Sequence, residues 1–209
     1  MRYDTALLAV LLAALLVSVL VSGVNAYRTR TLMDGMTGMA PANTMSLPGI
    51  DVRPTGMSEY GAELGVSYDD VTLEDQARSE RAIARLAALE ELTLTPEQKA
   101  RYIAIASQIS CEYCCGAAAI ISKSGEPACG CTHSGAMRGL AKHLIQKGTY
   151  SNDEILEELG KWKVLFFPEQ HSQKAAVLQS QGIPLTYINL ASNAYRGIGS
   201  GGAGMAGGC

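Results

Sequence analysis

The sequence predicts an all-α protein: an N-terminal transmembrane helix, a flexible linker, and a small bundle of four to five helices with a cysteine-rich metal or thiol loop. Three observations predict it. Residues 6–24 are nineteen residues without a charge, dominated by Leu, Ala and Val. Residues 71–190 place apolar side chains at helical spacing between clear helix starts. Five of the six cysteines fall in the 23 residues 111–133. The chain thus divides into an anchor (1–28), a Met/Gly/Pro-rich linker (29–70), a helical Cys-rich domain (71–190) and a Gly-rich tail (191–209) ending in Cys209.

The uncharged run 6–24 is long enough to span a bilayer and longer than most signal-peptide cores. Val24-Asn25-Ala26 puts small residues where a signal peptidase reads, so a cleaved signal is the alternative. Arg2 precedes the run, and Arg28 and Arg30 follow it, a near tie in the positive-inside count. A very short tail before a lone first helix usually stays inside. The expectation is therefore a single-pass membrane protein, with residues 6–24 contacting the membrane and the bulk of the chain extracytoplasmic. In the linker no apolar period survives two turns. It holds five of the eight methionines (Met33, Met36, Met39, Met45 and Met57), which read as tolerated apolar residues or as soft thioether ligands for Cu(I).

The helices follow in order. Thr72 can cap a helix to about Leu92, with Glu74 and Arg78 paired one turn apart. Thr95-Pro96-Glu97-Gln98 starts a second, whose apolar face (Tyr102, Ile105, Ala106, Ile109) delivers the chain to Cys111. Ser124-Gly125-Glu126-Pro127 reverses the chain toward Cys129. A third helix runs from about Ser134 to Lys147 with Met137, Leu140, Ala141 and Leu144 on one stripe. Ser151 with Glu154 boxes the start of a fourth, using Ile155, Leu156, Leu159 and Trp162. A polar helix is expected over 169–181 and an extended segment over 183–190. Trp162 and Phe166 read as core, and His143 and His171 as exposed.

The candidate site is Cys111-Glu112-Tyr113-Cys114-Cys115, thirteen residues, then Cys129-Gly130-Cys131-Thr132-His133. Two short ligand turns joined by a spacer are how tetrahedral zinc sites are written, and Cu(I) or an iron–sulfur centre accepts the same thiolates. Metal ligands are thus expected among Cys111, Cys114, Cys115, Cys129, Cys131 and His133. Zinc leads by base rate, Cu(I) follows, and an iron–sulfur cluster comes after both. Cys131 and His133 lie at a helix start, whose dipole favours thiolate. Two structural disulfides are the plainer reading of Cys111, Cys114, Cys129 and Cys131, and Cys111/Cys114 exchanging electrons with a partner's thiols is the enzymatic one.

Residues 148–159, Gly-Thr-Tyr-Ser-Asn-Asp-Glu-Ile-Leu-Glu-Glu-Leu, with Trp162 and the apolar run to Pro168, resemble the cytochrome c maturation protein H family. That resemblance implies a small membrane-anchored three-helix domain in which Cys111 and Cys114 are the redox pair. Cys115 and the Cys129–His133 segment depart from that family's pattern. The segment is instead similar to the PCYCGC-motif lipoproteins, which also carry Cys-Gly-Cys with a nearby His. The two resemblances span residues 110–168.

The net charge of −3, without long runs of either sign, argues against a nucleic-acid partner. No GxSxG, P-loop, GxGxxG or HExxH occurs, and nothing marks an oxyanion hole for a cysteine hydrolase. The reading is a membrane-anchored binder of a soft metal rather than an enzyme, with a metal donor or a protein thiol as partner. The alternatives are an extracytoplasmic thiol–disulfide oxidoreductase and a disulfide-stapled interaction module.

Overall fold

The computed structural model describes residues 48–199. The chain separates into two units, Met1–Met45 and Ser46–Cys209. The first unit, with the expected membrane helix and four of the linker methionines, lies outside the described residues, as does Cys209. Among the described residues no helix is long and apolar enough to cross a membrane.

Within residues 48–199 the regular structure is helical, as expected. In chain order the helices are α1 (Gly61–Leu64), α2 (Gln76–Ala88), α3 (Pro96–Ala106), α4 (Thr132–Lys147), α5 (Asn152–Phe166), α6 (Pro168–Ser180) and α7 (Tyr187–Ala191). The capping boxes of Thr95/Gln98 and Ser151/Glu154 form, each side chain accepting from the other residue's backbone amide. The first long helix begins later than Thr72. Asp75 takes the cap by accepting from the Arg78 amide at 2.9 Å, while Thr72 serves the preceding turn.

The middle of the bundle is α4, which packs on α2, α3 and α5. Met137, Leu140, Ala141 and Leu144 are buried against Leu86, Ile105, Ile155, Leu159 and Trp162. The close approach of α4 to α2 depends on Gly139, because a Cβ there would collide with the carbonyl oxygen of Leu86. A smaller apolar cluster joins Val164 at the end of α5 to Ala175, Leu178 and Leu190.

Four expectations need correction. Residues 60–70 are not linker: Tyr60, Val66 and Tyr68 are buried in the main core. Tyr60 donates to Glu158 Oε2 at 2.7 Å and accepts from Trp162 Nε1 at 2.7 Å, and Tyr68 donates to the same carboxylate. Tyrosines inserted singly and held by hydrogen bonds leave no periodic trace in sequence. The segment expected to be extended over 183–190 turns into α7, capped by Thr186. The tail begins later than 191, since Ala191 is buried and Tyr195 and Ile198 pack on the smaller cluster. Finally, His171 on the polar helix is fully buried, as is Lys174 one turn on.

Candidate metal centre

Two tight loops carry the cysteines. Leaving α3, the chain pairs back on itself: the Cys111 amide donates to the Ala117 carbonyl at 3.0 Å, and the Gly116 amide to the Cys111 carbonyl at 2.9 Å. The turn requires φ = +74° at Gly116, a conformation that residues with a Cβ rarely adopt. The chain then reverses through residues 122–126 and pairs Ala128 with Ile120 at 3.1 Å, which returns Cys129 to Cys111. Cys131 is the N-cap of α4, its sulfur accepting from the Ser134 amide at 3.4 Å.

Arg138, buried on α4, holds the second loop. It donates to the carbonyls of Cys129 at 2.8 Å and Ile120 at 3.2 Å, while its other nitrogens grip both oxygens of Glu90 at 2.6 and 3.1 Å.

The loops bring Cys111, Cys114, Cys129 and Cys131 together, all four sulfurs within 4.8 Å of one another. Cys111 Sγ lies 3.5 Å from Cys129 Sγ and 3.9 Å from Cys131 Sγ. A disulfide holds its sulfurs about 2 Å apart, so neither pair is bonded. Zinc–thiolate bonds of about 2.3 Å in a tetrahedron set sulfurs about 3.8 Å apart, which is the spacing of these pairs. Four sulfurs converging on one ion-sized space fit a tetrahedral metal.

Polar hydrogens are aimed at the sulfurs. The backbone amides of Cys115, Cys131 and Ser134 serve Cys111, Cys129 and Cys131 respectively, and the Ser134 hydroxyl donates to Cys111 Sγ at 3.0 Å. Hydrogen bonds from Cys111, from His133 and from Ser134 hold the Cys131 thiol well below its usual range. Cys111 moves the opposite way, raised by its hydrogen bond to Cys131 and by burial. A metal ion binds thiolates and not thiols, so a sulfur already held low, like Cys131, is ready to bind one.

No family model, curated protein or solved structure matches the chain. The chemistry of the site is thus read from its own residues. Cys115, expected among the ligands, is exposed and stands outside the group of four. His133 is also outside the four sulfurs. It sits in the first turn of α4, bonded to Cys131, with its ring on Phe166 and Phe167 at centroid distances of 4.8 and 5.3 Å.

A buried charge cluster, not foreseen from the sequence, lies beside the thiols. Glu112, 5 % exposed, accepts from Lys163 Nζ and Lys174 Nζ, both at 3.0 Å, and from the Gly197 amide at 2.7 Å. Lys163 also donates to Ser110 Oγ at 2.9 Å and to the Ala191 carbonyl at 3.0 Å. Burial pushes the Glu112 carboxyl up, but the two ammonium groups outweigh it and leave the carboxyl below its usual range. The one signal in sequence was a lysine embedded in Trp162-Lys163-Val164-Leu165-Phe166-Phe167, where a solvated charge is out of place.

His171 lies against Tyr113, ring centroids 5.1 Å apart and edge to face, with Nδ1 2.8 Å from the Phe167 carbonyl. Its Nε2 is buried without a hydrogen-bond partner. Burial, helped by Lys163, lowers its pKa from 6.5 to about 3. The unfolded chain therefore takes a proton near pH 6.5 that the folded chain refuses until about 3, and stability falls as pH drops through that window. His171→Leu is expected to reduce the loss of stability between pH 7 and pH 4 by about 3 kcal/mol, from 1.4 kcal/mol per unit of pH below 6.5. Chemical denaturation of both proteins at pH 7 and pH 4 checks it; equal losses of stability would show that His171 does not carry the effect.

Proposed function

We propose that this chain is a metal-binding protein holding one zinc ion through Cys111, Cys114, Cys129 and Cys131. The observation that carries this reading is the convergence of four sulfurs within 4.8 Å, with two pairs at 3.5 and 3.9 Å. Zinc is favoured because it takes four thiolates tetrahedrally. Cu(I) needs fewer, and an iron–sulfur cluster interposes iron and sulfide and so holds its thiolates further apart. Amides directed at the sulfurs stabilise thiolates, and Arg138 fixes the loop that presents two of them. Residues 6–24 are proposed to tether the domain to the extracytoplasmic face of a membrane, on their length and composition.

The oxidoreductase reading, implied by resemblance to the cytochrome c maturation protein H family, asks Cys111 or Cys114 to attack a partner's disulfide. An attacking thiol is exposed and held low in pKa, whereas Cys111 is 3 % exposed and held high. Cys111 is thus poorly placed to attack, and the role proposed is structural metal binding.

Native mass spectrometry of the chain, purified under mild conditions, tests the reading. One zinc per chain is expected, displaced by a strong chelator, with the four thiols alkylating only after its removal. A metal-free mass lower by about two protons per cysteine pair, unreactive until reduced, would replace zinc with disulfides.

A further inference from the structure

A cavity of about 670 Å³ lies between α2, the start of α4 and the end of α5. Its walls are largely apolar: Val71, Ile83, Leu165 and Phe166 line it, and the His133 ring sits on Phe166 with centroids 4.8 Å apart. Leu73, also in the lining, is 85 % exposed. An apolar side chain left in water beside an apolar hollow marks a place that an occupant would cover. A space of this size suits a small organic molecule.

The polar groups of the lining narrow its chemistry, because most are already partnered within the chain. Ser79 Oγ donates to the Thr72 carbonyl at 2.9 Å, and Thr72 Oγ1 accepts from the Asp75 amide at 3.2 Å. Arg53 is gripped by both oxygens of Asp51, at 3.0 and 2.7 Å, which neutralises its charge. The two helix starts that reach the cavity are capped, α2 by Asp75 and α4 by Cys131. Two exposed carboxylates remain in the lining, Glu74 and Glu80. Glu80 accepts from the neutral Gln76 at 3.1 Å, and Glu74 adds only a weaker attraction to the Arg53 already paired. The cavity is therefore apolar within and carries an excess of negative charge on its exposed groups.

We propose that this cavity binds a small organic cation, an amine joined to a flat apolar body. The body packs on Ile83, Leu165 and Phe166, where an aromatic face favours both stacking and a nearby positive charge. The ammonium group stays in water beside Glu74 and Glu80, which repel an anion of the same shape. The inference stands apart from the zinc reading, since none of the four grouped sulfurs lines the cavity.

The test is calorimetric titration of the full 209-residue chain, at low salt, with phenylbutylamine, phenylbutanol and phenylbutyrate, which share one apolar body and differ in charge. The amine is expected to bind at least tenfold more tightly than the carboxylate, with the alcohol between them. Replacing both exposed carboxylates, Glu74→Gln with Glu80→Gln, is expected to bring the three probes within threefold of one another while leaving the alcohol unchanged. Ala84→Trp, at an exposed lining position of α2, puts an indole into the space and is expected to weaken all three at least tenfold, with the circular dichroism of the helices retained. Absence of amine binding up to about 1 mM overturns the proposal. So does a carboxylate bound as tightly as the amine, or a preference for the amine that survives the double substitution. Undiminished binding to folded Ala84→Trp places the amine elsewhere and overturns it as well.

Discussion

Cys111→Ser and Cys129→Ser are each expected to weaken the proposed zinc site and lower the thermal midpoint by about 10 °C, and chelation of the wild-type protein is expected to lower it further. The reason is that the unfolded chain has no preformed site, so metal affinity is also folding free energy. Structural zinc contributes roughly 10–16 kcal/mol in small domains, and one missing ligand of four forfeits about 3 kcal/mol of it. At about 3 °C per kcal/mol for a domain of this size, the shift is about 10 °C. The damage should be local first. Cys111 and Cys129 are themselves buried in the main core, between Ile109, Ile120 and α4. Differential scanning calorimetry with and without added zinc measures the effect. Full stability in both serine variants, with no response to zinc, would refute the metal as a source of folding energy.

Glu112→Gln is expected to destabilise the domain by about 3–5 kcal/mol, because it leaves two buried ammonium groups without a counter-charge. Lys174→Met should cost much less, since the Glu112–Lys163 pair then remains neutral and Lys174 makes no other hydrogen bond in the cluster. The ranking separates a charge effect from a packing effect, for the substituted side chains are of similar size.

The same cluster gives a pH dependence. Burial lowers Lys163 from 10.5 to about 8 despite Glu112 and Cys111, which pull it up. Between pH 8 and 10.5 the unfolded chain therefore holds a proton that the folded chain has released. Stability attributable to Lys163 rises with pH across that window. Glu112→Gln removes the largest upward pull, so in that variant the rise should begin below pH 8. Urea denaturation at intervals from pH 7 to 10 reads it. A variant profile parallel to wild type would mean that Glu112 does not set the lysine's state.

Local chemistry was legible in the chain. The boxes at Thr95 and Ser151 and the apolar stripe of α4 depend on contacts within one turn, so residue order is enough to foresee them. The cysteine spacing marked residues 111–133 as a cluster of soft ligands on two turns, and the Ser124–Pro127 turn that lets those turns meet was visible. The tyrosines of residues 60–70 were not legible, since each is held by a carboxylate or indole about 90 residues or more away.

Two matters turned on distance through space. Sequence offered Cys115 and His133 as ligands beside the other four, and neighbours along a chain cannot be ranked as ligands by order alone. The backbone pairing of Cys111 with Ala117, and the seat of His133 on Phe166 and Phe167, put those two side chains outside the sulfur group. Likewise nothing in residue order joined Lys163 and Lys174 to Glu112, which stands 51 and 62 residues from them. They are buried because α5 and α6 fold over the first cysteine loop, and a charge accepts burial only where another charge meets it. Residue order supplied the helices and the thiols; which thiols converge, and which charges lie beneath them, followed from packing between elements remote in the chain.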